Sequence, residues 1–560
     1  MGGFQVLRRT YRHLNRYREV VSILAKYGFG DLLHSAHVDH YIESGLKGLM
    51  RHPPVDTGTR SERVRRALQE LGPTFVKTGQ YLSTRADMLP PEYLSELAKL
   101  QDHVPPFPAE EARRIVAEEL GRPVEKLFAR FDGHPLAAAS IAQIHAAVLH
   151  DGREVVVKVQ RPGIHSLVGV DLEIMAHLAA LAEHHIQESR WRRPGRLIAE
   201  ISRSLNREMD FSLEASHVER FARQFAGDPS VRVPKVHREL SSARVLTLER
   251  LRGVKADDIP GLEREGLDPR IAAELLAGHY LAMIFTHGFF HADPHPGNLL
   301  VQPGHVIAYL DFGMTGRLNL ETREKLADVV LAVSRRDQAA LARALLTLAD
   351  RDDEPDLRAF EDDVAELMDQ YAYRPLIEWR LGRMLEQFFQ TTARHRVRVP
   401  ADLFLVVKAL SEAESLARHL DPAFDAITAA APFIRRAVEE RLGPRRLAER
   451  LAVAGRETLD LLTSAPAELR ELIRQARRGR LLIEFEHKGL APALAELDQI
   501  SNRLAYAVLL GSLVIGSAVI VHAGQPPYWR GVSALGMGGF LLSALMGFWL
   551  LLAILRHGRL

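Results

Sequence analysis

The chain has 560 residues, 47% hydrophobic and 26% charged, enough for several ordinary globular domains. A net charge of +2 gives no basis for a nucleic-acid partner. The absence of cysteine excludes disulfides, thiol catalysis and cysteine-ligated metals, and fits a reducing compartment.

The opening FQVLRRTYRHLNRYREVVSILAKYG sets Arg8, Arg9, Arg12, Arg16 and Arg18 among Leu7, Tyr11, Leu14 and Val21, without the pattern of a secretory signal. Two readings stand: a basic amphipathic helix on anionic lipid, or a helix packed on the body. From Thr57 to Leu100 the pattern is helical, and DHVPPFP is a proline-rich break. Glu110 to Leu120 predicts a helix stopped at Gly121. Short strands are expected over Ile141–Leu149 and, after the turn His150-Asp151-Gly152, over Glu154–Gln160. Asp171–Gln187 and Arg196–Phe225 read as helices, and Arg244–Glu249 as a strand ending in a loop at Gly253. Helical patterns then dominate to about Leu497, interrupted by strands at Asn298–Val301 and His305–Leu310.

Leu504 to Ala523 is uncharged and about 20 residues long, enough to cross ~30 Å of hydrocarbon; Val532 to Leu555 is a second such stretch. Pro526 and Pro527 make a turn between them, with Tyr528 and Trp529 suited to an interface. Gly539, Ser543 and Gly547 form a small-residue stripe for close helix packing. Arg503, Arg556 and Arg559 outside the pair, against Arg530 in the turn, favour both ends on the cytoplasmic side. The run Arg470, Arg474, Arg477, Arg478 and Arg480 reads either as a solvated face or as a contact with lipid headgroups.

The chemistry is concentrated in HADPHPGNLLV and YLDFG. Asp293 and Asn298 are five apart with His291 leading, and Asp311-Phe312-Gly313 begins thirteen residues after Asn298. This is the kinase order H-R-D-x-x-x-x-N followed by D-F-G. One carboxylate orients the acceptor and takes its proton; a second carboxylate and an amide hold Mg²⁺ between phosphates. His291 and His295 are four apart, but Pro294 between them and Pro296 just after argue against a helical metal pair. Upstream, EVVVKVQ places Lys158 on a strand, preceded by PLAAASIAQIH. On the template G-x-G-x-x-G-x-V that segment puts Ala137, Ala139, Ala142 and Ile144 at the marked positions. Alanine pays about 1–2 kcal/mol for a left-handed conformation that glycine adopts freely, so a stiffer loop is expected, with Ser140 supplying a replacement contact. Ala292 stands where many protein kinases have arginine. DFGMTGRLNLETREKLADVV runs almost directly into a helix without an A-P-E signal, which disfavours a protein substrate.

These motifs resemble the UbiB (ADCK) family of atypical protein kinase-like proteins, from about Gly72 to beyond Gly313, and the paired C-terminal spans resemble its proteobacterial members. Its hallmarks occur in order: Lys77-Thr78-Gly79-Gln80 as K-x-G-Q, the alanine-rich loop, V-K-V-Q, Glu208-x-Asp210, HADPHPGN and DFG. Ala142 departs from the glycine the family keeps after A-A-A-S-I. The resemblance implies an α+β class and an atypical two-lobed kinase-like fold with a helical N-terminal extension, a helical C-terminal tail and two transmembrane helices. The expected divisions are 1–110 with K-x-G-Q, 111–250 as N-lobe, 251–430 as C-lobe, 431–500 as tail and 504–555 as membrane hairpin. It implies ATP (or ADP) and Mg²⁺ as cofactors. Nucleotide would be held by Leu136, Ala137, Ala138, Ala139, Ser140, Ile141, Ala142, Gln143, Ile144 and Lys158. Lys158 would also be catalytic, paired with Glu214, with Glu208 as the competing partner. Asp293 would be the catalytic base or its relic, and Asn298 and Asp311 the metal ligands. Lys77 and Gln80, one helical turn apart, would fold over the site with Glu208 and Asp210 in a regulatory role. The implied activity is a membrane-anchored atypical kinase or ATPase of ubiquinone biosynthesis in the bacterial inner membrane, its catalytic body in the cytoplasm. The alternative is a nucleotide-binding pseudokinase scaffold. Membrane lipids and quinone-biosynthesis enzymes or lipid precursors are the implied partners, with a homodimer left open.

Overall fold

A computed structural model describes residues 15–30, 58–83, 85, 88–100, 104–185, 194–349, 356–372, 379–395, 397, 399–442, 490–529 and 531–556. They fall into two compact units, 1–450 and 451–560.

In the first unit, Thr59 and Glu62 form a capping box at the start of helix α1 (Arg60–Leu71). Gly72, at φ 94°, turns the chain straight into α2 (Pro73–Ser83), which carries the K-x-G-Q residues. Gly79 lies where α2 meets its neighbours: a Cβ there would come within 2.3 Å of Leu100 and 2.9 Å of Leu68. Residues 15–26 are helical and packed on this body, with Val20, Val21 and Ala25 fully buried. Arg16 pairs with the buried Asp171 at 2.7 Å, so in this stretch the body, not lipid, takes the helix face. Arg8, Arg9 and Arg12 lie outside the described residues.

Helix α3 (Ala109–Leu120) ends as expected at Gly121, in the left-handed region at φ 68°. An antiparallel sheet follows, in the order β1 (Arg130–Ala138), β2 (Ala142–Val148), β3 (Glu154–Gln160), β4 (Val245–Glu249). Along β3 the alternation of side chains puts Val155, Val157 and Val159 into the core beneath α3, with Ile115 and Val116. Lys158 is thereby turned to the opposite face. β1 is not among the expected strands, and its end from Pro135 to Ala138 belongs to the segment expected as a loop. Its Gly133 and Pro135 disguise it, yet Pro is tolerated on an edge strand, and register shifts either side of Pro135 absorb the mismatch.

Helices α4 (Ile164–His185), α5 (Pro194–Glu208) and α6 (Phe211–Gln224) come next. The single helix expected over Arg196–Phe225 is therefore broken, because Asp210 leaves the helical region and caps α6 by accepting from the Ser212 N–H at 3.0 Å. α4 is apolar and long enough to cross a membrane. It is a helix of this body instead, with Asp171, Leu172 and Met175 buried among its neighbours.

The helical remainder contains α7 (Pro269–Leu281), the short strands β5 (Phe289–His291), β6 (Leu299–Gln302), β7 (Val306–Tyr309) and β8 (Thr315–Arg317), and α8 (Leu320–Ser334). α9 (Ala401–Leu420) packs along α7, and α10 (Ala426–Leu442) along α7 and α8. β6 and β7 pair as an antiparallel hairpin and β5 pairs with β8.

The second unit is a hairpin of α11 (Leu490–His522) and α12 (Ala534–Arg556), joined by a short strand pair around Tyr528 and Val532. A Cβ on Gly539 would lie 2.0 Å from Ser517 Oγ, and Ser543 is buried, so the small-residue stripe sits in the helix contact. Gly547 meets Leu510 at ordinary distance, while Gly536 faces Val521 and the Ser517 carbonyl. Leu504, Val508, Ile515, Leu541, Leu545 and Trp549 are exposed. Leu504–His522 has a mean hydropathy of 2.4 and spanning length; the apolar stretch Ala534–Leu550 is shorter. The divisions expected at 110/111, 430/431 and 500/504 each fall inside a helix, α3, α10 and α11. The basic run from Arg470 to Arg480, with Arg530 and Arg559, lies outside the described residues.

Candidate active site

Lys158, turned away from the α3 core by strand alternation, points at α6 and at the end of β7. Its ammonium donates to both Glu214 oxygens at 2.9 Å and to Asp311 Oδ2 at 3.2 Å, with the Phe211 ring 5.3 Å away. Burial opposes the charge on Lys158, but Asp311 and Glu214 outweigh it and hold its pKa above the usual range. Burial would likewise raise Asp311, yet Lys158 and the Gly313 N–H, 2.8 Å from Oδ1, bring it down to about 2. Glu214 is the buried end of the trio, and desolvation pushes its pKa up against the pull of Lys158. The choice between the two candidate glutamates is thus settled by geometry: Glu214 meets Lys158, and Glu208 pairs with Lys77 at 2.5 Å.

The HADPHPGN segment is tied to DFG through His291. Its Nδ1 accepts from the Asp293 N–H at 3.2 Å, so Nε2 must carry the proton that it donates in a short bond to the Asp311 carbonyl. Burial lowers the pKa of His291, which suits this neutral tautomer. The β6–β7 register continues into a bond from the Leu310 N–H to the Asn298 carbonyl at 3.0 Å, bringing Asn298 beside Asp311. Asn298 Nδ2 donates to Asp293 Oδ2 at 2.9 Å. That leaves the Asn298 amide oxygen and the ionised Asp311 as hard oxygen donors, a set that fits Mg²⁺ completed by phosphates and water. Among the described residues no group of three or more His, Asp or Glu forms a closed metal site.

Residues 314–318 are all that separates DFG from the Asn319 cap of α8. They are pinned by the β5–β8 pairing and by the bond from the buried Ala292 N–H to the Met314 carbonyl at 3.0 Å. A Cβ on Gly316 would lie 2.1 Å from the Phe290 ring. The expected lack of an activation segment is visible here as a strand leading into a helix.

The alanine-rich segment is a tight β-hairpin. Ala137 pairs with Ile144 and Ala138 with Gln143, and the Ala139 N–H donates to the Ala142 carbonyl at 2.8 Å. Arg161 closes the turn from behind, its side chain reaching the Ala139 carbonyl at 3.2 Å and its N–H the Ile141 carbonyl at 2.8 Å. The left-handed alanines expected from the glycine template are not found. The described non-glycine residues with positive φ are His305 and Arg336, so the rigidity comes from strand pairing, not backbone strain. Ser140 is fully buried, and its hydroxyl has no hydrogen-bond partner within the chain. Gln143 is also turned inward, accepting from the Phe107 N–H at 3.1 Å and donating to the Phe107 carbonyl at 3.2 Å. Ile141 and Ala142 are buried; Leu136 is exposed at the hairpin mouth. Gln80 donates to the Leu100 carbonyl at 3.1 Å, and Asp210 serves as the α6 cap.

Two residues were not legible in the motifs. Lys408, from the middle of α9, donates to Asp293 Oδ1 at 3.0 Å and contacts Met314 Sδ at 3.7 Å. Although burial opposes it, Lys408 holds Asp293 below its ordinary pKa. Glu412, one turn further, lies 3.8 Å from Lys408, and burial pushes it up to about 7. A lone lysine inside the apolar run LFLVVKAL was the available signal.

Residues 99–345 match the ABC1 atypical kinase-like domain, 364–425 the UbiB helical domain, and 488–556 the ABC1/UbiB kinase-like C-terminal domain. A probable protein kinase UbiB of Marinobacter nauticus is 34% identical over 499 residues, 86% of this chain and 90% of the relative. The Xanthomonas campestris pv. campestris relative of the same name is 34% identical over 511 residues, 88% of this chain and 91% of its own. The chain belongs to the ABC1/UbiB family of atypical kinase-like proteins. An uncharacterized protein from the hydrogenase 1 5′ region of Clostridium pasteurianum is 31% identical over 545 residues, 97% of this chain and 99% of that one. The family resemblance thus extends through both units, and the mixed helix and strand body is kinase-like.

Proposed function

We propose that this ABC1/UbiB protein is a membrane-anchored ATP-using enzyme of ubiquinone biosynthesis that acts on or mobilises lipid-soluble precursors at the cytoplasmic face. The observation that carries the reading is the Lys158–Glu214–Asp311 trio, in which one ammonium joins sheet, helix and DFG within 3.2 Å. In kinases the strand lysine's ion pair with its helix glutamate and the DFG aspartate must both be in place for phosphoryl transfer. The Asn298 and Asp311 oxygens would hold Mg²⁺, which would supply charge neutralisation to the phosphates. The protein's own groups do the rest. Lys158 binds the α- and β-phosphates, the alanine hairpin covers them, and Asp293 receives the proton of the attacking hydroxyl. The five residues between DFG and its cap offer a peptide no platform, which favours water or a small lipid-soluble acceptor. Anchoring by Leu504–His522 and α12 is supported by their exposed apolar faces, and release of the chain from membranes by alkaline wash would overturn it.

The test is ATP hydrolysis by the full chain in lipid, beside Asp311→Asn. Mg²⁺-dependent turnover lost in the variant is expected; equal rates would remove the enzyme reading. The second reading, a nucleotide-binding scaffold without turnover, is favoured by the rigid hairpin, and tight binding with no hydrolysis by the wild type would select it.

A further inference from the structure

The segment that carries Asp293, FFHADPHPGNLL over 289–300, contains neither lysine nor arginine. A phosphoryl group in transfer spreads negative charge over its three equatorial oxygens, and positioned cations stabilise it. Lys158 is not free to serve the acceptor side, because its ammonium is divided between Glu214 and Asp311. The ammonium beside Asp293 comes instead from α9. Lys408 touches the catalytic-loop aspartate and, through Met314, the residue that follows DFG. Its helix neighbours Val406, Val407, Ala409 and Leu410 are all buried and apolar, while Lys408 itself is only 22% exposed. A charge placed there carries a desolvation cost that an apolar residue would avoid. Packing alone does not account for it.

We propose that Lys408 is a catalytic cation that hydrogen-bonds the γ-phosphoryl oxygens while holding Asp293 in place. The inference rests on the ATP-using reading above. A base lies within about 2.6–3.2 Å of the proton it takes, and the attacking oxygen within about 3–3.5 Å of phosphorus. An ammonium 3.0 Å from Asp293, with three donors on a flexible stem, is therefore in reach of the equatorial oxygens. In hydrolysis, the oxygen of water forms a bond to the γ-phosphorus as the bond from that phosphorus to the β,γ-bridging oxygen breaks. ADP leaves with the electron pair on its β-phosphate, Asp293 takes the proton, and Lys408 keeps all of its own.

The experiment uses the full chain in lipid with Mg²⁺ and titrates ADP and the β,γ-imido analogue of ATP. Lys408→Met should leave ADP affinity within about twofold and weaken the analogue at least about tenfold, as loss of a charged hydrogen bond does. Hydrolysis should fall by about 10²–10³. Lys408→Gln keeps a donor to Asp293 without the charge, and gives the same result should the methionine variant fail to fold. Equal weakening of both nucleotides marks a structural role and overturns the proposal, as does undiminished hydrolysis. If the wild type binds neither nucleotide, the ATP-using reading itself fails; if it binds both and the variants match it, only the role of Lys408 does.

Discussion

Replacing Lys158 by methionine leaves the buried Glu214 without its cation, and the cost depends on pH in a calculable way. Removing one member of a buried ion pair costs about 3–5 kcal/mol, and Lys158 and Glu214 are only 13% and 6% exposed. Glu214 has an escape, which is to bind a proton. Starting from an ordinary value of 4.5, protonation costs about 1.36 kcal/mol per pH unit above it. That is roughly 2 kcal/mol at pH 6 and roughly 5 kcal/mol at pH 8. The folded pKa of Glu214 in the variant lies above the unfolded one, so the penalty is absent below about pH 4.5 and grows as pH rises toward the folded value. Lys158→Met should therefore lose about 2 kcal/mol at pH 6 and the full 3–5 kcal/mol at pH 8. Urea midpoints of nucleotide-free protein in detergent measure this. The double variant Lys158→Met/Glu214→Gln should lose the part of this pH dependence that comes from Glu214, leaving only what Asp311 contributes once it too lacks Lys158. An equal loss at both pH values in the single variant would refute the assignment of Glu214 as the buried partner.

Glu412, pushed up from 4.5 to about 7, is a group whose ionisation opposes folding as pH rises through that window. Its side chain is 40% exposed, so solvent screens the effect to on the order of 1 kcal/mol. Glu412→Gln should leave the urea midpoint unchanged near pH 4.5 and raise it at pH 8; the same gain at both would show that packing, not charge, is responsible. Gly316→Ala drives a methyl into the Phe290 ring and should cost about 1–3 kcal/mol. An unaltered midpoint there would mean that the β5–β8 pair shifts without resistance.

Much of the site could be read because its motifs are local. EVVVKVQ alternates and is β-branched, so both the strand and the outward lysine follow from a period of two. The spacing in HADPHPGN fixes Asp293 and Asn298 on one short loop, and the shortness of the segment between DFG and α8 was countable. The first strand escaped notice because Gly133 and Pro135 imitate a break, and only edge position and bulging make them tolerable. The glycine template misled in another way. It presumes backbone of either sign of φ, whereas the alanines here are simply paired residues of a hairpin. Gln143 looked available on paper but is bonded to Phe107, in the segment before β1, whose place could not be located from sequence.

By itself the sequence determined which chemistry the chain carries: a strand lysine, an Asp–Asn pair, DFG, and apolar segments long enough for a bilayer. Those depend on residues within a few positions of one another, where spacing and periodicity act directly. Tertiary structure alone decided which charges meet. Lys158 took Glu214 over Glu208, Lys77 took Glu208, and Asp293 acquired Lys408 from 115 residues downstream. Ion pairs of that kind are chosen by how helices pack, and packing follows the summed burial of whole apolar faces, in which no single charged residue announces its partner.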